Sequence, residues 1–94
     1  MQFKPRELVF LFQISLSSIL IAGGLNGHGE LKDCYSFETA NNTVERVSDL
    51  PEEDIFTTPY ALVVYNDLYV VGYESEAILK YSMAGGEWET VLKF

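Results

Sequence analysis

The side chains able to do chemistry are few in this chain, and they are scattered. Its one histidine, His28, sits in the turn-like run Asn26-Gly27-His28-Gly29. A metal site needs three or four ligands at short spacing, and there is no second histidine to share an ion. The single cysteine, Cys34, can close no internal disulfide, has no ligand pattern around it, and reads as a buried, inert thiol. Serine, histidine and aspartate all occur, but no nucleophile elbow, glycine-rich phosphate loop or paired-cysteine motif brings them into working order. The expectation is therefore a chain that is not an enzyme, with no catalytic residue, cofactor or metal. The acids are the remaining candidates. Glu52, Glu53 and Asp54 follow Leu50-Pro51, and Glu74 and Glu76 follow Gly72. They read either as a solvated charge run that aids solubility or as contact loops on an acidic rim facing a basic protein partner.

These residues have to be positioned by elements whose class the composition bounds. Ninety-four residues make one small domain at most, and 48 % hydrophobic with 14 % aromatic content is too apolar for a disordered segment. Fourteen acidic against six basic residues give a net charge of −8, which repels nucleic acid and anionic membrane surfaces, so neither is expected as a partner. The stretch Leu8 to Leu25 is uncharged, follows Lys4 and Arg6, and ends in Ala22-Gly23-Gly24, where a signal peptidase could cut. Residues 1–24 would then be a signal segment of a small secreted or membrane-anchored protein, and Asn41-Asn42-Thr43 would become a glycosylation acceptor. Gln13, Ser15, Ser17 and Ser18 interrupt the run at its middle, where a signal or membrane helix is most apolar. A hairpin accounts for them better: Val9 to Ile14, a turn at Leu16-Ser17-Ser18, then Ile19 to Ala22. This reading keeps the protein in the cytoplasm.

A search for internal repeats decides the architecture. Pro59 to Gly72 has the organisation of Phe10 to Gly23: strand, tight turn, strand, glycine. Asn66-Asp67 supplies a good turn pair. A polar loop follows each glycine, longer in the first copy (Leu25 to Asp33), and then a short strand reaching an aromatic, Phe37 in one copy and Tyr81 in the other. Seven residues beyond each aromatic stands the next apolar anchor, Val44 and Trp88, so both anchors repeat at 44 residues.

Four apolar residues, a double glycine, then Tyr and Trp separated by six residues form the pattern of the kelch repeat, and this chain resembles two consecutive copies of it. The first reads Ile19-Leu20-Ile21-Ala22-Gly23-Gly24 with Phe37 and Val44, the second Leu68-Tyr69-Val70-Val71-Gly72-Tyr73 with Tyr81 and Trp88. Pro5-Arg6 and Leu50-Pro51 look like the family's inter-blade junctions. The departures are Tyr73 for the second glycine, which suggests a relaxed turn there, and Phe37 and Val44 for Tyr and Trp. The resemblance implies an all-β fold of two four-stranded antiparallel blades of a partial β-propeller, repeat 1 over residues 5–51 and repeat 2 over 56–94. It also implies a protein-interaction module with no chemistry of its own. The metal and radical site of oxidases in the wider kelch-like group cannot be mapped onto these positions.

Eight strands are predicted, near Val9 to Ile14, Ser18 to Ala22, Cys34 to Phe37, Val44 to Val47, Tyr60 to Tyr65, Leu68 to Val71, Ala77 to Tyr81 and Trp88 to Leu92. Gly23, Gly24, Phe37, Val44, Gly72, Tyr81 and Trp88 are structural positions in this scheme, the aromatic pairs packing the seam between blades. Propellers close with four to eight blades. Two blades leave apolar faces that soluble monomers rarely expose, built from whichever alternate set of Val9, Leu11, Ile19, Ile21, Leu62, Val64, Tyr69 and Val71 points outward. A homo-oligomer, or further blades in a longer chain of which this is a fragment, is the expected remedy.

Overall fold

The computed structural model describes residues 5–7, 9–27, 29–51, 60–71 and 77–94. Among the described residues there are ten strands: β1 (Phe10–Gln13), β2 (Ser18–Ala22), β3 (Leu25–Asn26), β4 (Gly29–Glu30), β5 (Cys34–Glu38), β6 (Thr43–Val47), β7 (Tyr60–Val64), β8 (Asp67–Val71), β9 (Ala77–Ser82) and β10 (Glu87–Lys93). The fold is all-β, with no helix among the described residues. Two antiparallel four-stranded meanders, β1-β2-β5-β6 and β7-β8-β9-β10, make up the domain, and β3 and β4 pair as a small separate hairpin.

Strand formation follows from composition. The runs Ile19 to Ala22 and Leu68 to Val71 are rich in branched and aromatic side chains, which pack well on a pleated surface. Successive side chains on a strand point to opposite faces, so register sorts residues into rows. In the first sheet Phe10, Ala22, Cys34 and Val47 share one row across all four strands, and Phe12, Leu20, Ser36 and Glu45 the next row on the same face. In the second, Val63, Leu68, Tyr81 and Trp88 form one row, and Ala61, Val70, Leu79 and Thr90 its neighbour.

These two faces meet. Phe10, Leu20, Ala22, Cys34 and Leu50 from the first half join Leu68, Val70, Ala77, Leu79, Tyr81 and Trp88 from the second in one buried cluster, with Phe12 and Val47 packed against it. The thinnest dimension of the molecule, 18 Å, suits two sheets about 10 Å apart with side chains on their outer faces.

The sequence-level strands and the observed ones agree to within one residue at nearly every end. The turns differ by one position. Ser18 already opens β2, so the first turn is Ser15 to Ser17, and the second hairpin turns on Tyr65-Asn66 because Val64 pairs with Asp67. Tyr65 thereby takes a positive φ of 57°, a conformation that bulky residues rarely adopt. The long loop expected over 25–33 contains the β3–β4 hairpin. Residues Glu52, Glu53, Asp54, Gly72, Tyr73, Glu74, Glu76 and His28 lie outside the described residues.

Candidate functional site

The double glycine ending β2 does what its residue type suggested. Gly23 and Gly24 have φ of 64° and 99°, closed to most side chains. A β-carbon on Gly24 would also sit 2.7 Å from the carbonyl oxygen of Glu7. That close approach is what allows Glu7 and Leu25 to exchange two backbone hydrogen bonds, 2.8 and 2.9 Å long, and to tie the amino-terminal arm to the sheet.

A polar cluster that the sequence reading missed locks the same corner. Arg6 grips Asp33 in a two-pronged pair, Nη1 to Oδ1 at 3.0 Å and Nη2 to Oδ2 at 2.9 Å, and donates a third bond to the carbonyl of Gly23. Both side chains are buried. The Tyr35 hydroxyl donates to Asp33 Oδ2 at 2.6 Å, and the guanidinium lies over the Tyr35 ring at 5.5 Å. Burial alone would raise the Asp33 carboxyl, but the hydrogen bonds from Arg6 and then Tyr35, with the Arg6 charge, outweigh it and bring it down to about 2. Asp33 in turn raises the Tyr35 hydroxyl, chiefly by holding its proton. The one sequence signal here was Pro5-Arg6 as a junction; nothing in the sequence marked Asp33, which lies far along the chain, as its partner. Both Asp33 oxygens are engaged within the cluster, by Arg6 and by the Tyr35 hydroxyl. The cluster is a clasp.

Cys34 is fully enclosed beneath the second sheet, and burial pushes its thiol up to about 12, the Trp88 side chain and nearby backbone acting the other way less strongly. An un-ionised, enclosed thiol is a poor nucleophile. Tyr81 and Trp88 pack at 5.0 Å between ring centroids, tilted by 54°, within the seam. Burial raises the Tyr81 hydroxyl as well. Among the described residues no group of three His, Cys, Asp or Glu could hold a metal ion, and no helix is long and apolar enough to cross a membrane.

Phe37 and Val44 do not share that seam. They pair with each other across β5 and β6, and with Ile19, on the face of the first sheet turned away from the second. The physical reason lies in how the copies stack. Phe37 and Val44 correspond to Tyr81 and Trp88, so the second sheet turns toward the first the face that the first turns outward. The opposite face of the second sheet, bearing Leu62, Tyr69 and Lys80 in one row and Tyr60, Val71 and Ile78 in the next, is left open. A β-bulge between Thr90 and Leu92 sets Leu92 opposite Ile78 and extends the second row. Tyr60, Leu62 and Leu92 are 70 %, 65 % and 53 % exposed. A shallow apolar hollow of roughly 210 Å³, lined by residues including Tyr60, Leu62, Tyr69 and Ile78, lies on this face. Of the apolar residues expected to point outward, Leu11, Ile19 and Ile21 share the open face of the first sheet, and Leu62, Val64, Tyr69 and Val71 that of the second.

No family model matches the sequence, and no curated protein matches it.

Proposed function

We propose that the chain is a non-catalytic protein-interaction module built from two kelch-type blades. One observation carries the reading. The two meanders stack with non-equivalent faces together, each keeping the same sense along the array, as consecutive propeller blades do. Packing of two equivalent faces, with both aromatic pairs in one interface, would instead bury Phe37 and Val44 beside Tyr81 and Trp88. Gly23-Gly24 with its two positive φ values, and Tyr81 with Trp88 in the seam, fit the resemblance residue by residue.

On this reading the loops meet the partner, because a rigid sheet scaffold presents them. Glu52, Glu53, Asp54, Glu74 and Glu76 with the net charge of −8 make a basic protein the matching chemistry, and the cytoplasm is the proposed location. The rival reading, a signal segment over 1–24, would take from the first sheet β1 and β2, including Leu20 and Ala22, both fully buried. Capture from an isotopically labelled extract compares the native protein with a Glu52→Gln, Glu53→Gln, Asp54→Asn variant. At least one basic protein is expected to be retained threefold less by the variant, and less again as salt rises and screens the loops. Identical retention by both at every salt concentration would remove the acidic loops from the proposal.

A further inference from the structure

The two open faces differ in chemistry, and the difference points to what covers one of them. In repeat register, Phe10, Leu20 and Ser36 of the first sheet correspond to Tyr60, Tyr69 and Lys80 of the second. The first three lie on the face that the second sheet covers. Their counterparts stand on a face open to water. Phe has become Tyr, Leu has become Tyr, and Ser has become Lys, which pairs with Glu89 at 3.0 Å. The two tyrosines keep a large apolar body and add a polar tip, and Lys80 brings an aliphatic stem that ends in a charge. Such side chains are stable in water yet still bury well, and Tyr is enriched where protein surfaces meet reversibly.

The covering surface for a face of this kind is already present once in the molecule. Within the chain, the face bearing Leu68, Val70, Tyr81 and Trp88 covers the face bearing Leu20 and Ala22. The equivalent covering surface of the first sheet, with Ile19, Ile21, Phe37 and Val44, is itself uncovered by the second sheet. We infer that the open face of the second sheet docks a second copy of this chain by that surface of its first sheet. The contact repeats the internal seam between chains and is head to tail, so each copy offers one surface of each kind. Arg6, lying over Tyr35, already covers one corner of the docking surface, and the contact centres on Leu11, Ile19 and Phe37. The inference rests on the stacking of the two sheets and does not require a basic partner for the loops.

Two substitutions at exposed positions test it, Leu62→Glu on the second sheet and Leu11→Glu, 58 % exposed, on the first. Sedimentation velocity at 10–100 µM, in 0.05 and 0.5 M salt, reads the mass. The native protein should associate, and more strongly at high salt, because copies of charge −8 repel at long range until screened. A basic partner's binding would weaken over the same salt range, so the two proposals fail separately. Each variant alone should be monomeric. Mixed in equal amounts, they should give a dimer of twice the monomer mass that grows no further, since one retains the donor face and the other the acceptor face. A folded native protein that stays monomeric at 100 µM overturns the inference. So does a Leu11→Glu variant that still dimerises while the mixture gives no mixed species, because that pattern means like faces meet. Should either variant unfold, photo-leucine at position 62 in native protein mixed with heavy-isotope copies takes its place. Cross-links into heavy Leu11, Ile19 or Phe37 are expected, and cross-links only into heavy Leu62 or Tyr69 overturn the inference.

Discussion

Replacing Trp88 by alanine gives the sharpest test of how the sheets stack. Trp88 is 8 % exposed, packs on Tyr81, and lies in the cluster that joins the two halves. A tryptophan buries roughly 200 Å², which at about 25 cal/mol per Å² amounts to about 5 kcal/mol. Alanine recovers about 1 kcal/mol of this, and the cavity left behind adds back part of it. The expected loss is therefore about 3–5 kcal/mol, a large share of the roughly 5–15 kcal/mol that holds a domain of this size together. In melting temperature that is a fall of about 15–30 °C. Urea unfolding followed by far-UV circular dichroism at 2 µM suits both proteins, because the variant lacks the only tryptophan. Val44→Ala is the matched control, since Val44 is the repeat counterpart of Trp88 and only half-buried on the open face. It should cost about 1 kcal/mol or less at a concentration where copies stay apart. A Trp88→Ala loss below about 0.5 kcal/mol would put the indole on the surface and refute the seam. A Val44→Ala loss of 2 kcal/mol or more would refute the head-to-tail sense of stacking.

Three further outcomes follow from the same geometry. Gly24→Ala should destabilise by about 2–3 kcal/mol, since φ of 99° and the Glu7 carbonyl at 2.7 Å both oppose a β-carbon; hydrogen exchange at the Leu25 amide should rise with it, and an unchanged denaturation midpoint would show that the arm is not held there. Tyr65→Asn should stabilise by about 0.5–1 kcal/mol, because Tyr65 is 94 % exposed and asparagine tolerates its positive φ, and a lower urea midpoint would contradict this. Asp33, lowered from an ordinary 3.8 to about 2 in the folded chain, contributes stability that is present above about pH 4 and lost as pH falls toward 2. The shift corresponds to about 2 kcal/mol. Asp33→Asn should be less stable at neutral pH and lack that part of the acid loss, and parallel pH profiles for the two proteins would assign the acid sensitivity elsewhere.

Most of the strand pattern was legible in the sequence because its cues are local. Alternating or continuous apolar runs, polar punctuation and a 44-residue spacing fix where strands begin and end without knowledge of what they touch. The turns were read one residue late for an instructive reason. Asn66-Asp67 is the better turn pair by propensity, but the hairpin sets Val64 opposite Asp67 and Val63 opposite Leu68, so Tyr65 takes the strained position instead. A turn on Asn66-Asp67 would slide β7 two residues along β8 and set Tyr65 opposite Leu68 in place of Val63, with the faces unchanged, because side chains alternate with a period of two. The left-handed conformation at Tyr65 costs about 1 kcal/mol, which the pairing of the two strands outweighs.

Which face of each sheet is covered could not be read the same way. Ile19-Leu20-Ile21-Ala22 is apolar on both sides, so no polar alternation marks the solvent side, and the same holds for Leu68 to Val71. The discriminating signal was present, but only in the difference between copies: Trp88 where the first has Val44, and Tyr60 and Tyr69 where the first has Phe10 and Leu20. Trp88 adds bulk to the second copy's covered face, where the Tyr81 hydroxyl is buried with it, and the hydroxyls of Tyr60 and Tyr69 stand on its open face, as expected if the internal seam is permanent and the outer one is made and broken. The clasp of Arg6 on Asp33 escaped for another reason. A buried ion pair needs a partner as well as a charge, and an isolated Asp before Cys34 looks like any loop aspartate until the chain brings Arg6 beside it. Burying that pair has a consequence for the arm. Releasing residues 5–7 would strip the buried Asp33 carboxylate, just ahead of β5, of its charged partner, so the arm and the first sheet are expected to unfold as a unit.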